Sequence, residues 1–202
     1  MKIAVVYYSA TGTVHALAAA LAAGVEAAGG EARLRRVAEL APESAIDANP
    51  LWRAHYDAAA AVPVASHEDL RWADGYAFGT PSRFGGVAAQ LKQFIDTTSE
   101  LWAGGTFADK PATVFGSAGN AHGGQEASLL SLYAVMCHWG SVIVPPGYTE
   151  EAFSAAGGNP YGTSHTAGEG QSIEPSLAAA RAQGERLVRV GAALIGSRSV
   201  AA

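Results

Sequence analysis

Residues 2–13 read KIAVVYYSATGT, and this run decides the fold. Lys2 to Tyr8 is short, apolar and rich in β-branched and aromatic residues, the pattern of a strand buried on both faces. Ser9-Ala10-Thr11-Gly12-Thr13 interrupts it with hydroxyls and a glycine. The period then changes: Val14, Leu17, Ala18, Leu21 and Val25 recur at the spacing of an amphipathic helix. Gly29-Gly30 ends that helix. A buried strand that runs through a short polar loop into a helix is the opening unit of an α/β fold with a parallel sheet.

The same alternation continues outward. Glu31 to Val37 reads as a second strand, Gly75 to Gly79 as a third, Ala112 to Gly116 as a fourth and Ser141 to Val144 as a fifth. Helical stripes fall between and after them. They are Val87, Leu91, Phe94 and Ile95; then Leu129, Leu132, Tyr133 and Met136; then Leu187, Val188, Gly191, Leu194 and Ile195. Residues 41–66 show weak periodicity, so their structure stays open. Residues 147–175 are rich in Gly, Pro, Ser and Thr and read as a long loop. The expectation is one α/β domain over residues 1–202.

Composition excludes several classes. With 49% hydrophobic residues there is enough apolar material for a sizeable core, so disorder is excluded. Thirteen Lys+Arg against 18 Asp+Glu give a net charge of −5 with no basic run, which argues against nucleic acid as a partner. Cys137 is the only cysteine, so no disulfide framework exists within the chain. A lone thiol fits a reducing cytoplasm, and Cys137 reads as a small buried hydrophobe in the fourth helix. The most apolar stretch, Ala16 to Ala28, is broken by Glu26 and is too short for a membrane span. Tyr7-Tyr8-Ser9 arrives too soon after Lys2 for the apolar region of a secretory signal.

Ligands of parallel sheets bind outside the carboxyl ends of the strands. Four such ends carry unusual loops: Ser9 to Thr13, Thr80 to Gly86, Ser117 to Gly124, and Pro145 to Tyr148. Their convergence on one edge is the main argument for a site. The first loop opens a helix, whose amides and dipole favour an anion, and Ser9, Thr11 and Thr13 add hydroxyls. Alone it reads equally well as an N-capping turn; with the other loops, the phosphate reading is preferred. It lacks GxxxxGK[ST] and GxGxxG, which disfavours a nucleoside-triphosphate loop and a Rossmann dinucleotide site. The glycines of the later loops let backbone approach a flat ligand. Phe84, Trp102 and Tyr148 are candidates to stack on one, although core packing is the commoner use of any single aromatic.

Other chemistries find little support. The six histidines show no HxxxH or HxxH spacing, so no metal site is expected. A phosphatase of this topology needs a cysteine in the first loop, and a receiver domain needs acids there; Ser9 to Thr13 has neither.

Taken together, the residues resemble WrbA-type NAD(P)H:quinone oxidoreductases of the flavodoxin-like family. Ser9-x-Thr11-Gly12 looks like a flavodoxin phosphate loop. Phe78 to Gly85 (FGTPSRFG), Phe94-Ile95-Asp96, Leu101-Trp102, Gly123-Gly124-Gln125-Glu126, His138, Gly140 to Pro145 with Gly147-Tyr148, and Gly158 to Gly162 (GNPYG) look like the quinone oxidoreductases. The match runs from the first strand to the last helix and is weakest over 41–66.

The resemblance implies a three-layer flavodoxin-like fold, with a five-stranded parallel sheet of order 2-1-3-4-5 and a loop-rich insertion. It implies FMN as cofactor, NADH or NADPH as co-substrate, a small quinone as acceptor, a homotetramer and a cytoplasmic enzyme. By position, Ser9, Ala10, Thr11, Gly12, Thr13 and Val14 would hold the ribityl phosphate. Thr80, Pro81, Ser82, Arg83 and Phe84 would lie along the isoalloxazine. Ser117, Ala118, Gly119 and Asn120 would take its other edge. Trp102 and His138 would line the substrate cavity as catalytic residues, with Tyr148 nearby, and a neighbouring subunit could complete that cavity. His138 and Tyr148 would also touch the cofactor, and His138 would orient the quinone oxygen and donate a proton. Thr11 stands where many members carry an aromatic residue. Two rival readings are a flavodoxin-type electron carrier, for which −5 is a mild charge, and a scaffold protein without flavin.

Overall fold

The computed structural model describes residues 1–168 and 170–198; Glu169 in the 147–175 stretch and the last four residues of the expected 1–202 domain lie outside them. In chain order the elements are β1 (Lys2–Tyr7), α1 (Thr13–Ala27), β2 (Glu31–Arg36), α2 (Glu43–Asp47) and α3 (Pro50–Ala58). A 3-10 turn (Ala59–Ala61) leads to α4 (His67–Trp72), β3 (Gly75–Pro81), α5 (Ala89–Asp96) and α6 (Ser99–Ala103). Then come β4 (Pro111–Ala118), α7 (Gln125–Trp139), β5 (Val142–Ile143), α8 (Glu151–Ala155), β6 (Ser164–Thr166) and α9 (Glu174–Arg198).

The sheet order is β2-β1-β3-β4-β5, all parallel, with β6 also paired to β4. Strand β1 lies inside the sheet between β2 and β3, and its side chains alternate between two cores. Ile3, Val5 and Tyr7 join Leu17, Leu21 and Val25 of α1 and Leu187 and Val188 of α9. Ala4 and Val6, with Tyr8 just beyond the strand, join Leu91, Leu129, Leu132 and Met136 of α5 and α7. Helices therefore cover both faces, which is why β1 and β3 read as continuous apolar runs. The expected order and layers are those of the structure.

Two regions differ from the sequence reading. The 147–175 stretch is not one loop: it holds α8 and β6, and α9 begins at Glu174 rather than near Leu187. The fifth position of the sheet is also split. Val142–Ile143 pair with Pro111–Ala112 at one end of β4, and Ser164–Thr166 pair with Gly116–Ala118 at the other. The insertion leaves the sheet between these two pairings and returns to it. Sequence missed β6 because Ser164-His165-Thr166 has no apolar run; these residues pair along an edge rather than fill a core.

Cys137 is exposed, not buried. It is on the outer face of α7, while Met136 and Trp139 turn inward. Ile195 is likewise exposed, since the last turns of α9 run past the sheet. The 41–66 stretch forms α2 and α3. Asn49 caps α3, accepting from the amides of Leu51 and Trp52, with Pro50 in the first turn.

Candidate functional site: a hydroxyl-lined cradle

Three strand ends meet at one edge. The loops after β1, β3 and β4 enclose a cavity of about 140 Å³. It is lined by Ser9, Ala10, Thr11, Thr13 and Val14 from the first loop, Pro81, Ser82 and Arg83 from the second, and Ser117, Ala118 and Gly119 from the third. Ala167, just after β6, closes the side that sequence left open. Its amide donates to Ala118 O at 2.8 Å, and a Cβ on the adjacent Gly168 would come 2.1 Å from Gly119 O. The returning insertion thus forms a wall of the cradle.

The first loop turns at Gly12, whose φ of +99° lies in the left-handed region. The Gly12 amide donates to Ser9 Oγ at 3.1 Å. The first bond of α1 runs from Ala16 N to Gly12 O. The amides of Thr13, Val14 and His15 therefore precede the intrahelical ladder and face outward from its positive end. Hydroxyls and helix-terminal amides around a small cavity fit a phosphate monoester.

The second and third loops are fastened together. Ser82 N donates to Ser117 O at 2.7 Å, and Ser82 Oγ donates to Gly123 O at 2.5 Å. Gly124 (φ +77°) packs on Gly85; a Cβ there would come 2.7 Å from Gly85 Cα. Thr80 is fully buried beneath the cradle rather than in it. Its hydroxyl accepts from Ala88 N at 3.0 Å and donates to Pro81 O at 2.9 Å, which shapes the second loop. Asn120 lies at the turn of the third loop, where its carbonyl accepts from Gly123 N.

Arg83 and Gly86 exchange two backbone hydrogen bonds of 3.0 Å, so Phe84 and Gly85 form a two-residue turn. Both have positive φ, +52° and +77°, as a type I′ turn requires. Phenylalanine is strained there, at a cost of about 1–3 kcal/mol, and its ring is fully exposed. Phe84→Asn, which tolerates that conformation, is expected to raise stability by about 1 kcal/mol. Chemical denaturation checks this; a loss would mean that the ring packs on the protein itself.

Glu39 organises the flank of the cradle. It accepts from Tyr8 Oη (2.8 Å), Gln90 Nε2 (2.6 Å) and Trp52 Nε1 (3.3 Å). Burial alone would raise its carboxyl, but hydrogen bonds from Ala41, Gln90, Tyr8 and Leu40 hold it below the usual range. Burial and Glu39 push the Tyr8 phenol well up, with Arg83 opposing.

His138 and Trp102 meet each other but not the cradle. Trp102 Nε1 donates to His138 O at 2.9 Å, and both line a hollow of about 340 Å³ with Lys92, Ile95, Asp96 and Trp139. Trp102 leads towards the first residue of β4 and His138 towards β5, so both lie at the amino edge of the sheet, opposite the cradle. Tyr148 is exposed on a third feature, a groove of about 720 Å³ that also includes Asn159, Tyr161 and His165. Among the described residues, no group of three or more His, Cys, Asp or Glu could hold a metal, and no helix is long and apolar enough to cross a membrane.

Comparison with known proteins gives a consistent picture. The family described as NADPH-dependent FMN reductase matches residues 1–154. An NAD(P)H dehydrogenase (quinone) from Deinococcus radiodurans is 44% identical over 196 residues, covering 97% of this chain and 98% of its own. A protein of the same name from Trichlorobacter lovleyi is 40% identical, covering 96% and 98%. Among solved structures, a WrbA-like flavodoxin from Agrobacterium tumefaciens has a TM-score of 0.68 at 24% identity, covering 95% and 97% of the two chains; it speaks for the fold. This chain belongs to the NADPH-dependent FMN reductase family, alongside relatives named NAD(P)H dehydrogenase (quinone).

Proposed function

We propose that the protein reduces quinones to hydroquinones at the expense of NADH or NADPH, with the two substrates using one opening over the cradle in turn. The protein is an NAD(P)H-dependent flavoprotein oxidoreductase. The observation that carries the reading is the hydroxyl-lined cavity at the amino end of α1, where three loops converge. The residues there fit FMN: Ser9 to Val14 would receive its phosphate, while Ser82 and Arg83, with Phe84 beside them, and Ser117 to Gly119, with Asn120 beside them, would border its ring. When bound, FMN would supply a two-electron centre between a reduced nicotinamide and a quinone. The overall balance is NAD(P)H + H⁺ + quinone → NAD(P)⁺ + hydroquinone. Shared use of one opening predicts parallel lines in double-reciprocal plots of the two substrates.

The chain's own residues do the rest. Thr80, Ser82 and the Gly124–Gly85 contact fix the loops before any ligand arrives. Phe84, fully exposed on the turn next to Arg83, would offer a flat apolar face beside the cradle. His138 and Trp102 lie at the opposite edge, so they reach substrate only if a second copy brings that edge over the cradle. A homotetramer in the cytoplasm is the arrangement we propose. In it, Trp102 stacks on the quinone and His138 directs a proton to its oxygen. Trp102→Ala is expected to lower kcat/KM for quinone on the order of 100-fold while FMN stays bound. Unchanged quinone kinetics would remove Trp102 from the site.

A further inference from the structure

Behind the cradle lies a histidine cluster that the reaction leaves unused. The cavity is bounded by Ser9, Ala10, Thr11, Thr13 and Val14 on one side of the first loop. On the other side His55, from α3, rests on the loop's turning residue: a Cβ at Gly12 would come 3.4 Å from His55 Nδ1. His15, in the first turn of α1, has its ring centroid 5.4 Å from that of His55. Its Nδ1 is 2.5 Å from the Tyr7 hydroxyl. Both imidazoles are half-buried.

The loop contains no Lys or Arg, yet a phosphate monoester brings between one and two negative charges at neutral pH. Other titratable groups line the same small hollow as His55. Tyr7 and Tyr8 come from β1 and its end, Arg36 from β2, Glu39 from the segment beyond it, and Tyr56 from α3 itself. Arg36 Nε is engaged with Val62 O, and Glu39 already accepts three side-chain donors. Arg53 and Asp57 of α3 turn to an outer ion cluster with Glu43 and Asp47. The histidine pair is the group placed to change its charge.

We propose that His55, backed by His15, is a positioning residue for the phosphate loop, and that the pair takes up one proton when the phosphate of FMN enters and releases it when the phosphate leaves. This rests on the reading of the cradle as an FMN site. Burial holds both imidazoles below their ordinary value, and His15 lowers His55 further, so without phosphate the pair is neutral at pH 7. A nearby anion raises that value. Two charged imidazoles so close would repel, which limits the uptake to one proton. Since the complex binds more protons than the free protein, affinity rises as pH falls through the complex's value. The gain ends near pH 6, where the phosphate itself protonates.

The test is calorimetric titration of flavin-free protein with FMN at pH 7.5, in buffers of different ionisation enthalpy. Uptake of about half a proton to one proton is expected, with Kd weakening about 5- to 10-fold from pH 6.5 to 8.5. Riboflavin, which lacks the phosphate, should bind without uptake and with a flat profile. His55→Gln should abolish the FMN slope and leave riboflavin binding unchanged. FMN binding with no proton uptake, or uptake undiminished in His55→Gln, overturns the inference and leaves the flavoprotein reading intact. No FMN binding at all brings both down. The wild-type buffer series needs no variant to fold.

Discussion

Thr13→Asp is expected to stabilise the flavin-free protein and destroy its affinity for FMN. Thr13 is the first residue of α1 and lines the cradle. A carboxylate in the first helical turn complements the macrodipole and contributes about 0.3–1 kcal/mol; α1 has no acidic residue there. The same carboxylate would lie beside a phosphate carrying nearly two negative charges. At an effective dielectric constant of about 20, one pair of charges at ~4 Å interacts by about 4 kcal/mol, so a loss of 100-fold or more in FMN affinity is expected. Riboflavin affinity should move by less than about 3-fold. Fluorescence titration and thermal unfolding of the flavin-free protein read the two effects separately. Opposite signs in stability and binding distinguish a phosphate site from an N-capping turn, which would show only the first.

Gly124→Val is expected to damage both cradle and fold. Its φ of +77° is unfavourable for any side chain and especially for a β-branched one. Its Cβ would come 2.7 Å from Gly85 Cα, backbone that cannot rotate away. Strain of about 1–2 kcal/mol and overpacking of about 1–3 kcal/mol add, giving a loss of about 2–5 kcal/mol. The second and third loops would be forced apart where Ser82 now bridges them. FMN affinity should fall at least about 30-fold, since opening the cradle removes contacts on both sides of the ring. Denaturant midpoints and FMN titration check this. A variant with native stability and native FMN affinity would mean that the loops are not fastened at this contact.

The central strands and their helices were legible because burial on two faces writes itself as apolar runs and 3.6-residue stripes. Lys2 to Tyr8 and the Val14 to Val25 stripe match β1 and α1 almost to the residue. The first half of α9 was not legible. It packs through small or polar residues: Ala180 and Gly184 lie against α1, Ala179 lies against Phe153 of α8, and Gln183 donates to Thr113 Oγ1 and Val114 O of β4; a Cβ on Gly184 would come 2.1 Å from Leu21 O. Hydropathy cannot signal such a face. Pro175 beside Glu174 is a start signal that composition obscured. Asn49-Pro50 announced α3 in the same way, but α3 buries no residue fully and so carries no apolar stripe.

The cradle was legible at its hydroxyls and glycines because strand carboxyl ends are where a parallel sheet offers space. Its Ala167 wall was not, because a short edge strand leaves no pattern. Neither was the place of His138 and Trp102, since spacing along the chain does not say at which end of a helix a residue meets a ligand. Their separation from the cradle follows from direction alone. Helix α7 starts beside the cradle at Gln125 and ends at Trp139, a run of 15 residues that spans roughly 22 Å.

Oxidation of NADH and NADPH by the purified protein with added FMN, with and without 1,4-benzoquinone, tests the account most directly. Quinone-dependent turnover, lost on removal of FMN and in Thr13→Asp, is the predicted result. A protein that holds FMN at the cradle yet shows no quinone-dependent oxidation of either nicotinamide would contradict it and leave an electron carrier in its place.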